Sequence, residues 1–160
     1  MTFLNYLQTS PLTQWLLISM LGFPTLIALH SVGMGVVVGL TFVIALRLNG
    51  LLPGMDAALL LTFLRIAAWG FLLNLITGLL LFMTRGPEYL ATGMFLLKML
   101  LVLMSAAIVV WIGRRLRAFE LSEEDVVADR SSARLAAVAT ALWFGAVVAG
   151  RLIAYVGDLY

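Results

Sequence analysis

Four apolar stretches, each longer than about 18 residues, are the feature that most limits what this chain can fold into. They lie at about 24–48, 57–84, 89–112 and 132–157 of a 160-residue sequence. A stretch of this length crosses the ~30 Å hydrocarbon core of a bilayer as a helix, whereas a small soluble domain has no use for four of them. We therefore predict an all-α membrane protein, a four-transmembrane-helix up-down bundle in contact with the lipid bilayer.

The composition agrees with this class. Hydrophobic residues make up 63% of the chain and charged residues only 11%, whereas about a quarter of a typical soluble domain is charged. The net charge is +2 and there is no basic face with interleaved aromatic residues, so nucleic acid is excluded as a partner. Cysteine is absent, which excludes disulfides, thiolate metal sites and iron–sulfur ligation.

The first 22 residues form a separate N-terminal segment ahead of a transmembrane domain that covers 23–160. Within this segment, 11–21 is predicted as a short amphipathic helix that lies in the membrane interface. Trp15 and Tyr6 are its expected anchors, because amphipathic aromatic rings favour the headgroup level. The alternative is a steeply tilted extension of the first span.

The arginines near the span ends predict the orientation in the membrane, since positive loops stay cytoplasmic. The second link, a predicted turn over 85–88, contributes only Arg85. The first link and the polar loop 113–131 contribute Arg47, Arg114, Arg115, Arg117, Arg130 and Arg134. We therefore expect these two loops in the cytoplasm and both termini in the periplasm, for a protein of the bacterial inner membrane.

Small residues indicate where helices approach one another, because packing in lipid depends on close contact. The first span offers Gly35 and Gly39, and the second offers Gly70, Asn74 and Gly78 on one face. The fourth span offers a small-residue row at four-residue spacing, Ala133, Ala137, Ala141, Gly145 and Ala149. These faces can close the bundle, or one of them can serve a homo-oligomer or a larger membrane complex.

Ionisable residues inside the spans are the candidate functional groups, because charge in a membrane is costly. His30, the only histidine, lies roughly 9 Å from the outer end of its span, Lys98 roughly 13 Å and Arg151 roughly 10 Å, at ~1.5 Å per helical residue. Three cationic or potentially cationic groups in one leaflet favour an anionic partner, such as haem propionates, a quinone oxygen or a lipid phosphate. Gly33 is expected to leave room beside the histidine ring for a planar ligand, and Asn74 lies near mid-membrane.

Each of these residues also has a structural interpretation. His30 can be a core histidine whose hydrogen bonds are satisfied, and Asn74 can be an interhelical hydrogen-bond donor. Long cationic side chains such as Arg151 can extend to the headgroups.

The lone histidine restricts the possible cofactor chemistry. Haem iron takes axial His, Met or Cys ligands, so the options are His30 alone, His30 with Met or with a neutral Lys98, or two copies of His30 across an oligomer. Met94, Met99 and Met104 on one helix favour a Cu(I) pathway only weakly, because methionine is commonly an apolar filler. Motifs of soluble enzymes are missing, so catalytic residues stay unknown, and any catalysis would use a bound cofactor.

Three segments carry a resemblance to a known family. They are LHSVGMGVVVG at 29–39, FLLKMLLVL at 95–103, and ARLAAV…GRLIAYVG within 133–157. Together they resemble the CopD-like and HemJ-like group of small four-helix bacterial membrane proteins and their uncharacterised relatives. The resemblance implies that a first-helix histidine and a third-helix lysine, here His30 and Lys98, take part in haem binding and activity, as in HemJ-type protoporphyrinogen oxidases. CopD-like relatives imply copper uptake instead.

The sequence thus leads us to expect an integral membrane redox protein that binds haem b, acting in electron transfer or as a subunit of a membrane redox complex. If it is an enzyme, it is a HemJ-like, haem-dependent membrane oxidoreductase. His30 is the expected iron ligand, Lys98 and Arg151 would neutralise the propionates or complete the ligation, and Gly33 and Asn74 complete the site. The alternatives are an accessory subunit that binds partner helices or lipid, and a CopD-like copper transporter. Copper and a quinone are the alternative cofactors.

Overall fold

The computed structural model describes residues 3–56, 58–118 and 129–156. These ranges contain helices and connecting turns and no strand. The helices are α1 (Phe3–Gln8), α2 (Pro11–Ile18), α3 (Gly22–Leu48), α4 (Ala58–Ala91), α5 (Gly93–Ala118) and α6 (Arg130–Val156). The predicted all-α class is confirmed. Most of the polar loop predicted at 113–131 lies outside the described residues.

Four of these helices, α3 to α6, are long and apolar enough to cross a membrane, as the sequence predicted. The shortest of the four, α5, has 26 residues. This corresponds to about 39 Å of helix at ~1.5 Å per residue. This exceeds the ~30 Å hydrocarbon core, so the helix ends extend into the interfacial regions.

The second link differs from the predicted turn over 85–88. Arg85 leaves helical geometry (φ −144°, ψ 37°), but the helix resumes immediately and continues to Ala91. Pro87 then lies in the first turn of the resumed segment, where its missing N–H and fixed φ are tolerated. The chain reverses at the next residue after Ala91, Thr92, whose carbonyl oxygen accepts from the first turn of α5.

The four long helices form two tight pairs. Helices α3 and α4 pack extensively along each other, and so do α5 and α6. The pairs meet along two looser boundaries, the α3–α6 seam and the α4–α5 seam, and the α4–α5 seam has the fewest contacts. The buried core joins the two pairs, because each of its two hydrophobic clusters combines residues of α3 with residues of α6.

Two glycines bring α3 and α4 into close contact. A Cβ added at Gly33 would lie 2.9 Å from the backbone nitrogen of Asn74 and 2.9 Å from the carbonyl oxygen of Gly70. A Cβ at Gly70 would lie 2.7 Å from a side-chain carbon of Val36. The predicted small face of the second span is thus the face that packs against the first.

Serine and alanine bring α5 and α6 together. The buried hydroxyl of Ser105 donates to the carbonyl oxygen of Ala139 at 2.8 Å. The buried alanines of α6 are Ala133, Ala136, Ala139, Ala146 and Ala149. The predicted row at four-residue spacing is therefore only partly in the interface, and Ala137 and Ala141 are exposed. A strict four-residue row drifts around a helix of 3.6 residues per turn, so it leaves the contact face within a few turns.

The N-terminal segment folds as two short helices rather than as an extension of the first span. The Ser10 hydroxyl accepts from the backbone N–H of Thr13 at 3.3 Å and caps α2. Helix α1 contacts α4, and α2 contacts α3 and α4. The rings of Tyr6 and Trp15 are exposed, at 66% and 61%, so both are available for the interfacial contact that the sequence predicts.

Asp129 fixes the start of α6 at the end of the bundle opposite His30. Its carboxylate lies 2.7 Å from Nε of Arg115 on α5. Burial raises the pKa of Asp129, but hydrogen bonds outweigh this effect and hold the pKa well below its usual range. The donors are the hydroxyls of Ser131 and Ser132, the guanidinium of Arg115 and the backbone N–H of Ser132.

Candidate cofactor site

His30 lies at the contact between α3 and α4, where one nitrogen of its ring forms a hydrogen bond with α4. Its Nδ1 lies 3.0 Å from the hydroxyl oxygen of Thr77. That hydroxyl also lies 2.7 Å from the carbonyl oxygen of Leu73, to which it can donate its single proton, and a ring N–H can then donate to it. We therefore assign the proton of the neutral imidazole to Nδ1, which leaves the lone pair of Nε2 available for a ligand.

The glycine beside the imidazole is Gly78, not Gly33. A Cβ added at Gly78 would lie 3.1 Å from Cε1 and 3.6 Å from Nδ1 of His30. At the helix crossing, the backbone of Gly70 and Asn74 fills the space beside Gly33. No room is left there for a planar ligand. The expectation for Gly33 is corrected, because the residue one turn after His30 faces α4 directly.

Lys98 reaches the same region from α5. Its side chain is half-buried and lies along α6 at Gly150. A Cβ added at Gly150 would be 3.3 Å from both Cε and Nζ of Lys98. The absence of a side chain at Gly150 therefore lets the lysine run close to the α6 backbone.

Two cavities meet at His30 and Lys98, and one lies in each seam. The first, here called the aromatic cavity, has a volume of about 300 Å³ and lies mainly between α4 and α5. Its wall includes His30, Asn74, Gly78, Phe82, Phe95 and Lys98. The second, here called the glycine groove, has a volume of about 640 Å³ and lies mainly between α3 and α6. Its wall includes His30, Gly35, Gly39, Lys98, Gly150 and Arg151.

The structure brings together four of the five residues that the sequence singled out, in two overlapping groups. Asn74 joins His30 and Lys98 in the aromatic cavity, and Arg151 joins them in the glycine groove. Sequence analysis missed the role of Thr77 and the proximity of Gly78 to the ring. Both lie one turn after Asn74, on the same helix face, and this spacing is the signal that could have found them.

The donor set fits a cofactor that brings its own metal. Within the described ranges, no three His, Cys, Asp or Glu side chains come together as a metal cluster. A haem iron already has four porphyrin nitrogens and needs only one or two protein ligands, for which the Nε2 atom of His30 is available. Gly35 and Gly39 add open space to the groove, because a Cβ at either position would meet nothing within 4 Å.

The methionines named in the copper alternative are spread over several environments. Met99 lines the aromatic cavity, Met94 is half-buried and Met104 is 46% exposed. Of these three methionines, only Met99 lines either of the two cavities.

Comparisons of the chain with protein-family models, with curated proteins and with solved structures found no match.

Proposed function

We propose that this chain is a membrane redox protein that binds haem b in the glycine groove, with His30 as an axial ligand of the iron. The observation that carries the proposal is the hydrogen bond between Nδ1 of His30 and Thr77, which leaves Nε2 available at a large intramembrane cavity. Metal-binding histidines usually donate their second ring N–H to an oxygen in this way, which fixes the tautomer and the orientation of the ring.

The charges of the groove support the same cofactor. Lys98 and Arg151 both line the groove, and the half-buried cation of Lys98 favours a ligand that carries a carboxylate. Haem b has two propionates, so its charge matches this pair. Lys98 would hold one propionate or act as a second axial ligand, and Arg151 would hold the other.

The shape of the groove supports a large flat group. Its volume of about 640 Å³ is within the range of small-molecule and cofactor sites, about 300–1,000 Å³. Gly35 and Gly39 keep one wall free of side chains. When bound, the cofactor would supply one-electron chemistry, tuned by its axial ligand and its burial, and the protein would act in electron transfer or as a subunit of a membrane redox complex. A HemJ-like oxidase activity is the enzymatic form of this proposal.

The proposed location is the bacterial inner membrane, with both termini in the periplasm. Arg47, Arg114, Arg115, Arg117, Arg130 and Arg134 lie at one end of the four long helices, and positive residues concentrate on the cytoplasmic side. His30, Lys98 and Arg151 would then lie in the outer leaflet. Cysteine accessibility labelling at position 56 and position 92, in spheroplasts, would test this orientation.

An absorption spectrum of the purified full-length protein, made with ample haem and recorded oxidised and dithionite-reduced, tests the function. We expect a Soret band and sharp α and β bands on reduction. His30→Ala should abolish these bands, and the neighbouring Val32→Ala should retain them, because Val32 is 57% exposed and lines neither cavity. A featureless spectrum from the wild type would refute the proposal.

The location of the haem is tested by filling the groove. Gly39→Leu should exclude the cofactor, because the new side chain would occupy the open wall. Gly93→Leu is the matched control, since Gly93 also has nothing within 4 Å but lies at the exposed start of α5. Equal haem content in the two variants would rule out the groove as the binding site.

A further inference from the structure

We propose that the aromatic cavity binds the ring of a quinol or quinone, beside the haem site and separated from it by His30 and Lys98. This binding proposal stands on the aromatic cavity alone. Five features of the cavity support it: an unsatisfied acceptor, a nearby cation, a wall of stacked rings, its position at the seam with the fewest contacts, and its volume.

The unsatisfied acceptor is the side-chain oxygen of Asn74. Asn74 is 7% exposed, and its Oδ1 has no hydrogen-bond partner among the described residues. A buried polar atom without a partner destabilises the fold, so its position in a cavity wall favours a ligand that donates a hydrogen bond. The hydroxyl of a quinol is such a donor.

The nearby cation supplies the opposite hydrogen-bonding character. Lys98 lines the same cavity as Asn74, and its ammonium group donates but cannot accept. The cavity therefore offers an acceptor from α4 and a donor from α5. A ligand that satisfies both needs a hydroxyl and a second oxygen, and the two ring oxygens of a quinol or quinone provide them.

The wall of stacked rings favours a planar ligand. Phe82 and Phe95 have ring centroids 5.7 Å apart and an interplanar angle of 23°. Tyr89 and Phe95 also have centroids 5.7 Å apart, with an angle of 14°. All three residues line the cavity. A further ring can extend such a stack, and stacked aromatic pairs are stabilised beyond the effect of their buried area.

The position of the cavity gives a ligand access from the lipid. It lies at the α4–α5 seam, where the four-helix ring has its fewest contacts. Leu75 and Leu79 line it and are also 46% and 57% exposed, so the cavity reaches the lipid-facing surface of α4. A ring with a long apolar tail could thus occupy the cavity while its tail stays in the bilayer.

The volume of the aromatic cavity favours the ring of a quinol or quinone over a larger group such as a tetrapyrrole. At about 300 Å³, the aromatic cavity is at the lower limit for small-molecule sites and has less than half the volume of the glycine groove. One ring, or two fused rings, matches the volume of the aromatic cavity. A tetrapyrrole matches the volume of the glycine groove.

The test is a titration of the full-length protein with decylubiquinone in phosphatidylcholine nanodiscs, followed by tryptophan fluorescence quenching. Trp143 packs edge-on against Phe71, a lining residue, with ring centroids 6.2 Å apart, so it reports on the cavity once the exposed Trp15, Trp69 and Trp111 are replaced by phenylalanine in every protein tested. We expect saturable binding to the wild type. Asn74→Leu should weaken it about tenfold, which corresponds to ~1.4 kcal/mol, because it removes the acceptor.

A second variant keeps the test valid if Asn74→Leu fails to fold. Leu75→Phe enlarges an exposed lining residue and should also weaken binding at least fivefold. Leu72→Phe is the matched control, because Leu72 is 41% exposed on the same helix and lines neither cavity. Non-saturable quenching, or equal binding by all four proteins, would overturn the proposal.

The Soret band, recorded on the same samples, separates this proposal from the proposed function. Saturable quinone binding without a Soret band would uphold the aromatic cavity and refute the haem site. A Soret band together with non-saturable quenching would do the reverse. Loss of the Soret band in Leu75→Phe, with the band retained in Gly39→Leu, would place the haem in the aromatic cavity and overturn the quinone site.

Discussion

Nδ1 of His30 and the hydroxyl oxygen of Thr77 lie 3.0 Å apart, although the two residues are 47 positions apart in the sequence. The contact joins the only histidine to the neighbouring transmembrane helix. The Thr77 hydroxyl also contacts the carbonyl oxygens of Leu73 and Asn74 on its own helix, so its position does not depend on the histidine alone. The imidazole therefore has one determined ring orientation at the boundary between the two cavities.

In the proposed haem site, removing the Thr77 hydroxyl should weaken cofactor binding more than it destabilises the fold. Thr77→Val keeps the volume but leaves Nδ1 without its acceptor, so we expect haem affinity to fall about 10–100-fold and the reduction potential of the remaining haem to shift. Thr77→Ser should restore both. Thr62→Val is the control on the same helix, since Thr62 is exposed. Haem titration and potentiometry measure these effects. An unchanged affinity and potential in Thr77→Val would contradict a positioning role.

Gly33 should be intolerant of even one added carbon. Gly33→Ala places a methyl group 2.9 Å from two backbone atoms of α4, and backbone atoms can move away only by separating the helices. We expect a loss of about 1–3 kcal/mol of stability. Gly93→Ala should be neutral or slightly stabilising, because it faces open space. Thermal unfolding in detergent compares the two, and similar melting temperatures would argue against a tight crossing.

The charge of Asp129 should stabilise the fold at neutral pH and cease to do so in acid. Its folded-state pKa is depressed, so its contribution is present above the unfolded-state pKa of about 4 and is lost as the pH falls towards the folded-state pKa. Asp129→Asn keeps a capping side chain and removes the charge. We expect it to cost about 1–2 kcal/mol at pH 7, since the partner Arg115 is partly exposed.

Unfolding at pH 7, 5, 4 and 3 measures this contribution. The gap between wild type and Asp129→Asn should stay constant from pH 7 to 5 and narrow below about pH 4. Asp56→Asn is the control, because Asp56 is an exposed aspartate that caps the start of α4. A gap that does not change with pH would show that the carboxylate charge contributes nothing.

The sequence predicted the fold class and the four spans because both depend on the length of apolar stretches. It could not predict helix rotation, since these helices are apolar on all sides and periodicity then carries little information. Gly33 and Gly78 illustrate this limit. Both are glycines near the level of His30, and only the packing of α3 on α4 decides which of them lies beside the ring.

The candidate site was predictable as a set of residues but not as a geometry. Burying charge in a membrane is costly, so His30, Lys98 and Arg151 could be chosen from residue type and depth alone. The division into two cavities could not, because it depends on which helices pack tightly. Nor could sequence analysis find the break at Arg85, where a local change in backbone geometry lets the helix continue past Pro87 to Ala91.

The arrangement of the bundle as two tight pairs implies an order of assembly. Each pair consists of consecutive helices, so each can form during synthesis as soon as its second helix has entered the bilayer. Neither cavity exists until the pairs meet, because one lies in each seam. Any ligand of either cavity would therefore bind only after insertion, and a chain arrested as two separate hairpins would be helical, membrane-embedded and without either cavity.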